Sequence, residues 1–203
     1  MKIFCVGRNY AAHATELNNE IPEEPVIFMK PKSALLQQHT PFYYPEFTNE
    51  LHYEAELVIR ISKNGKYIQE KFAGKYYDAI TTGIDFTARD IQNELKQKGL
   101  PWEKAKAWDN SAVIGKWVPL ADVKNKKQIN FNLYKNKELV QTGNSSDMLH
   151  GFDSIVSYIS NFFSVNIGDV IFTGTPAGVG EVVVGDELEG FMEEVSMFKL
   201  EVK

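Results

Sequence analysis

One cysteine, Cys5, is present in 203 residues. No intrachain disulfide can form, and such usage fits a reducing compartment. Long apolar runs are missing too. No window approaches the roughly 20 apolar residues that a membrane-spanning helix needs. The amino terminus offers only Ile3-Phe4-Cys5-Val6 between Lys2 and Gly7-Arg8, too short for a signal-peptide core. Basic charge is in deficit: 22 Lys and Arg stand against 27 Asp and Glu, for a formal net charge of −5. That balance argues against nucleic acid or an anionic membrane as partner, since both select a basic footprint. Repeats, low-complexity tracts and Pro/Gly/Ser linkers are absent. These absences predict one domain over residues 1–203 in the cytoplasm. With 43% hydrophobic residues the chain has enough apolar surface for a core without a staple. The motifs H-E-x-x-H, C-x-x-C and G-x-S-x-G do not occur.

What is present is mostly strand-like. Leu51 to Ile61 alternates with period 2, with Leu51, Tyr53, Ala55, Leu57, Ile59 and Ile61 on one face. His52, Glu54, Glu56, Val58 and Arg60 fall on the other. Asn64-Gly65 then signals a hairpin turn. Tyr76 to Ile84 is β-prone and runs into Asp85. Thr87 to Gln97 predicts a helix with Ile91 and Leu95 on one side, stopped by Gly99-Leu100-Pro101. Ile129 to Tyr134 and Lys137 to Thr142 predict a hairpin around Lys135-Asn136. Phe152, Ile155, Val156, Ile159 and Phe163 recur at helical spacing, with Asp153 in the first turn. Val170 to Thr173 predicts a short strand, and Glu187 to Met192 and Val195 to Val202 predict two more. Strands outnumber helices and no βαβ alternation appears. The fold class expected is mainly β, or α+β, with short helices.

Several residues could carry chemistry. Glu54 and Glu56, at i and i+2 on a strand, share a face about 6.6 Å apart. Asp85 ends the next predicted strand, where site residues tend to sit. Three convergent carboxylates without a Cys or His pair suit a hard ion such as Mg²⁺ or Mn²⁺. His13 and Glu16, at i and i+3 in a helix-forming segment, can reach each other, and a Glu that orients an imidazole makes a base for water. Lys106 lies between Trp102 and Trp108, and a lysine in such a segment would stabilise an anion. The loop Gly174 to Gly180 fits neither a dinucleotide fingerprint nor a P-loop. It can still present backbone N–H groups and the Thr175 hydroxyl to an anion. His39, His52 and His150 lack metal-ligand spacing, and His39 and His150 are expected in loops or on the surface.

The order of these pieces resembles the fumarylacetoacetate hydrolase family. The matching stretches are Gly7-Arg8-Asn9-Tyr10-Ala11-Ala12-His13, Phe28-Met29-Lys30-Pro31 and His52-Tyr53-Glu54-Ala55-Glu56-Leu57. They continue with Asp85 to Gln92, Lys106-Ala107-Trp108-Asp109, Gly143 to Met148 and Thr173 to Gly180. The resemblance implies a mixed β-roll, a homodimer, and one Mg²⁺ or Mn²⁺ per subunit on Glu54, Glu56 and Asp85. It further implies that His13 and Glu16 activate water on a mobile lid of about residues 1–25. Lys106 would stabilise an oxyanion, and Arg8, Gln92, Gly174 and Thr175 would contact substrate. The multi-domain members carry a further N-terminal domain, whereas this sequence starts almost at the lid. Some members also have a metal carboxylate seven residues before the lid histidine, where Val6 stands here. Both departures point to a short, single-domain, acylpyruvase-like branch.

The activity implied is hydrolytic C–C cleavage of 3-acylpyruvates or related β-diketo acids to pyruvate and a carboxylic acid. The alternatives are 2-hydroxyhepta-2,4-diene-1,7-dioate isomerisation or oxaloacetate decarboxylation in the same frame. A further alternative is a non-catalytic protein that binds oxo acids. The partner expected is a small anionic oxo acid.

Overall fold

A computed structural model of the chain describes residues 1–16, 21–37 and 40–203. Residues 17–20, inside the expected lid, and His39 lie outside them. In chain order the elements are β1 (Ile3–Gly7), α1 (Ala11–Glu16), β2 (Val26–Lys30), β3 (Leu51–Tyr53), β4 (Ala55–Ile61), α2 (Glu70–Ala73) and β5 (Tyr77–Asp85). There follow β6 (Thr87–Ala88), α3 (Arg89–Gln97), α4 (Glu103–Lys106), β7 (Ala112–Ile114), β8 (Val118–Pro119), β9 (Asn130–Lys135) and β10 (Glu138–Asn144). The chain closes with α5 (Phe152–Phe162), β11 (Val170–Phe172), β12 (Gly180–Glu181), β13 (Glu187–Met192) and β14 (Val195–Glu201).

The strands form a mixed β-roll of three sheets. The largest runs β2-β1-β11-β4-β5-β7, with β8 attached to β5. β1 and β11 pair in parallel, and the other pairings are antiparallel. A four-stranded sheet runs β10-β9-β13-β14, and a small one runs β12-β3-β6. The main core gathers Phe4, Leu57, Ile59, Ile80, Phe86, Phe131 and Ile155. A smaller cluster on the opposite side of the large sheet gathers Ile3, Cys5, Val58 and Phe172.

The second cluster corrects one expectation. Leu51 to Ile61 is not one half-solvated strand. It breaks at Glu54, with β3 joining the small sheet and β4 the centre of the large one. Both faces of β4 are buried up to Ile59, so its polar alternation is aimed into the protein. The Asn64-Gly65 hairpin does not form either. β4 and β5 pair as expected, but residues 62–76, including α2, join them. Gly65 instead bridges Val165, with Tyr76 and Ile68 packed where a side chain would go.

The β9–β10 turn falls on Asn136-Lys137, one residue later than expected. Both have positive φ, 53° and 71°, which matches the twist of a two-residue hairpin. α5 buries Phe152, Ile155, Val156 and Ile159 as its spacing requires. Phe163 has extended backbone beyond the helix and packs its ring 5.5 Å from that of Phe4. Among the described residues, no helix is long and apolar enough to cross a membrane.

Candidate metal centre and its lid

The break at Glu54 creates the site. Glu54 sits at the bend between β3 and β4, Glu56 points inward from β4, and Asp85 ends β5 beside them. All three are buried, and one oxygen from each lies within 4.8 Å of the others. Like charges this near one another need cations.

Three buried cations supply part of that charge. Lys106 Nζ donates to Glu54 Oε2 at 2.7 Å, Asp85 Oδ2 at 2.8 Å and Thr87 Oγ1 at 2.6 Å. Lys30 Nζ lies 2.6 Å from Asp85 Oδ1 and donates to Ser111 Oγ at 2.9 Å and to the Lys106 carbonyl. Arg89 Nη2 donates to Glu54 Oε1 at 2.5 Å. Burial would raise the pKa of Glu54, but the Lys106 ammonium and Arg89 guanidinium outweigh it and hold the carboxyl well below the usual range. Lys106 is the converse case. Burial would lower its pKa, and Asp85 and Glu54 raise it instead.

Glu56 is the exception. Burial, then the neighbouring Asp85 charge, push its carboxyl well above the normal range, and the Gly174 N–H, 2.6 Å from Oε2, only partly offsets this. Asp85 Oδ1 accepts no directed hydrogen bond despite the nearby lysine. An all-oxygen, buried donor set with one carboxylate short of positive charge fits a hard divalent ion such as Mg²⁺ or Mn²⁺.

The lid forms the other wall. β1 ends at Gly7, and Arg8 takes left-handed backbone, φ 58°, to turn the chain toward α1. Asn9 fixes that turn. Its side chain donates to the carbonyls of His150 and Thr173 and accepts from the His150 N–H. His13 then hangs over the carboxylates with only 5% of its surface exposed. Its Nδ1 lies 3.2 Å from Glu16 Oε2, and Glu16 Oε1 accepts from the Gly178 N–H at 2.9 Å. The second ring nitrogen is the one left for chemistry.

Arg8, His13, Glu54, Glu56, Asp85, Gln92, Lys106 and Thr175 all line one cavity of about 30 Å³. That is room for an ion or one or two waters. Gln92 Oε1 is held by Arg89 Nη1 at 2.5 Å, which leaves its amide NH₂ as a donor. Thr175 Oγ1 accepts from Gln141 Nε2 at 2.9 Å. Gly174, expected to contact substrate, spends its N–H on Glu56 and does not line the cavity. Its φ of 102° and the Asn9 Cβ, 2.7 Å from where a side chain would begin, exclude other residues. Lys106, expected to face an oxyanion, has its ammonium engaged by two carboxylates and a hydroxyl.

Sequence reasoning missed Lys30, Arg89 and Lys96. Lys30 is 1% exposed at the end of an apolar strand, a place where lysine is rare without a buried partner. Arg89 lies one helical turn before Gln92. Lys96 lines the cavity one turn beyond Gln92 on the same helix. His52 is half-buried, with Nε2 3.1 Å from Glu50 Oε1 and Nδ1 accepting from Arg89 Nε at 3.3 Å. His150 is half-buried beneath the lid turn rather than on an open surface.

Three comparisons with known proteins bear on this arrangement. A family model described as fumarylacetoacetate (FAA) hydrolase C-terminal matches residues 2–203. The oxaloacetate tautomerase YcgM of Escherichia coli (strain K12) is 39% identical over 188 residues, covering 92% of this chain and 86% of the relative. The mitochondrial oxaloacetate tautomerase FAHD1 of Homo sapiens is 40% identical over 201 residues, covering 98% and 91%. Among solved structures, a fumarylpyruvate hydrolase from Pseudomonas aeruginosa, in complex with Mn²⁺ and pyruvate, superposes with a TM-score of 0.94 at 35% identity. It covers all of this chain and 89% of the other.

Proposed function

The chain belongs to the fumarylacetoacetate hydrolase family, and from that premise we propose that it is a divalent-metal-dependent enzyme that interconverts the enol and keto forms of oxaloacetate. The observation that carries this reading is the buried Glu54, Glu56 and Asp85 cluster beneath the His13–Glu16 pair. The named activity of the curated relatives supports oxaloacetate as substrate. This reading moves from the acylpyruvate hydrolysis that the sequence put first to oxaloacetate, the substrate of one of its alternatives, with tautomerisation in place of decarboxylation.

A Mg²⁺ or Mn²⁺ ion held by Glu54, Glu56 and Asp85 would supply Lewis acidity toward the 2-oxo and carboxylate oxygens of the substrate and orient them. The chain's own groups do the rest. In ketonisation the O2–H bond breaks and its proton passes to water, the freed pair forms the C2=O2 bond, and the C2=C3 π pair takes up a proton at C3. His13, through the ring nitrogen not held by Glu16, delivers the proton to C3. Glu16 fixes the imidazole's orientation. The amide NH₂ of Gln92 donates toward the oxygen that carries developing negative charge, while Lys106, its three N–H groups held by Glu54, Asp85 and Thr87, adds only its positive charge nearby. The closed lid excludes water, which keeps these interactions strong.

Hydrolysis of an acylpyruvate is the second reading. The same His13–Glu16 pair suits it, because a buried imidazole beside a carboxylate can equally deprotonate a water. The Mn²⁺ and pyruvate complex of the fumarylpyruvate hydrolase is consistent with that use of the frame. One experiment ranks the two. The Mn²⁺-loaded protein is given enol-oxaloacetate and acetylpyruvate in separate assays, followed by the enol absorbance and by product analysis. Enol loss without pyruvate or CO₂ release, and faster than acetylpyruvate cleavage, is expected. Faster cleavage of acetylpyruvate would reverse the order.

A further inference from the structure

The charges lining the cavity do not balance for a monoanionic guest. Four cationic side chains, Arg8, Arg89, Lys96 and Lys106, line it against three carboxylates, and Lys30 stands behind Asp85. Lys30, Lys106 and Arg89 are committed to Asp85 and Glu54 at 2.5–2.8 Å. Arg8 and Lys96 have no carboxylate partner among the described residues, although both border the same small space. A divalent ion would add two further positive charges. A 2-oxo monocarboxylate would neutralise too little of this and would leave two half-buried cations without a counter-charge.

We infer that Lys96, with Arg8, forms a subsite for a second carboxylate, so that the enzyme selects 2-oxo dicarboxylates over monocarboxylates. This deepens the proposed function, on which it rests. Lys96 reaches the cavity from α3, and its ammonium lies 5.9 Å from the Trp102 ring, which shields it from solvent on one side. Such a cation is partly desolvated before the substrate arrives, so its attraction for a carboxylate is stronger than that of a surface lysine. Burial first, then the Arg89 and Arg8 charges, bring its pKa down to about 8, while Glu54 pulls the other way and Lys106 adds to the lowering. The subsite is therefore charged below about pH 8 and loses its charge as the pH rises through that value.

The test uses malate and 2-hydroxybutyrate, which differ only in that a methyl replaces the second carboxylate. Both are titrated calorimetrically into Mn²⁺-loaded protein at pH 7 and pH 9. Malate is expected to bind about 10- to 100-fold more tightly at pH 7, the scale of a hydrogen bond to a charged group, with the preference shrinking at pH 9. Lys96→Gln is expected to erase the preference by weakening malate alone. Lys96→Arg is expected to keep the preference and to hold it at pH 9. Equal affinity of the two ligands for the wild type, or equal loss of both in Lys96→Gln, overturns the subsite. If malate is preferred but enol-oxaloacetate is not turned over, the proposed function fails and the subsite stands.

Discussion

Glu54, Glu56 and Asp85 are held from behind by Lys30, Lys106, Arg89 and the Gly174 N–H, on strands paired along both edges. His13 stands across the cavity from them on a six-residue helix with no strand partner, tied to the body through Glu16 and Gly178. The floor is a buried ion network that cannot rearrange without leaving a charge unpaired. Among the described residues α1 is tied down by the Glu16 contact to Gly178, and Asn9 and the Tyr10–Met148 bridge anchor the turn before it. A six-residue helix is too short to be stable alone. The division matches the chemistry. An ion must stay in place through many turnovers, whereas substrate must enter a cavity of about 30 Å³ and leave again.

The largest effect should come from the floor. Glu56→Gln removes the carboxylate most short of positive charge. We expect metal-dependent turnover to be lost and Mn²⁺ binding by calorimetry to vanish. The metal-free protein should be no less stable, because a buried like charge is gone. Retained Mn²⁺ binding would break the assignment of the floor.

Next comes Lys106→Met. It leaves Glu54 and Asp85 without their shared ammonium, and breaking a buried pair costs about 3–5 kcal/mol. The melting temperature without metal should drop. Millimolar Mn²⁺ should restore much of it, since a ligand that binds only the native state stabilises it. A drop that Mn²⁺ does not reduce would mean that the ion and Lys106 do not share these carboxylates.

The lid comes third. His13→Ala should lower turnover by about 10²–10⁴-fold, the scale of a lost general acid or base, with Mn²⁺ affinity unchanged. A loss below tenfold would demote the lid to a cover. Hydrogen exchange should show α1 amides opening far faster than those of β4 and β5. Equal protection would erase the contrast.

The smallest effect is expected from His52. Its ring accepts from Arg89, which in turn holds Glu54 and Gln92. It is a positioning residue at two removes from the substrate. His52→Ala should lower kcat by about two- to tenfold, the low end of what a hydrogen bond to a charged group is worth, because the loss reaches the substrate only through Arg89 and Gln92. KM should change little, and His52→Asn, which can still accept, should recover most of the loss. A change in KM alone would place His52 in a different role.

Much of the roll was legible in local pattern. The period-2 run of β4, the β-prone run of β5, the hairpin of β9 and β10 and the 3.6-residue spacing of α5 each carry their own signal over a few residues. The order of the motifs pointed to the three carboxylates and to His13 with Glu16. The alternation around Glu54 and Glu56, however, reads as a wet strand face. It is dry here because a second cluster of Ile3, Cys5, Val58 and Phe172 covers that side of the sheet.

The sequence by itself determined the fold family and most of the secondary elements, because both are carried by local pattern and motif order. Tertiary structure alone decided which cations are paired and which, among the described residues, have no carboxylate partner. Lys30, Arg89, Lys96 and Lys106 look alike in one dimension, and their partners lie in other segments of the chain. Only the packed roll spends three of them on Glu54 and Asp85 and leaves Lys96, with Arg8, facing the cavity. Charge pairing depends on distance in space, and local sequence does not encode that distance.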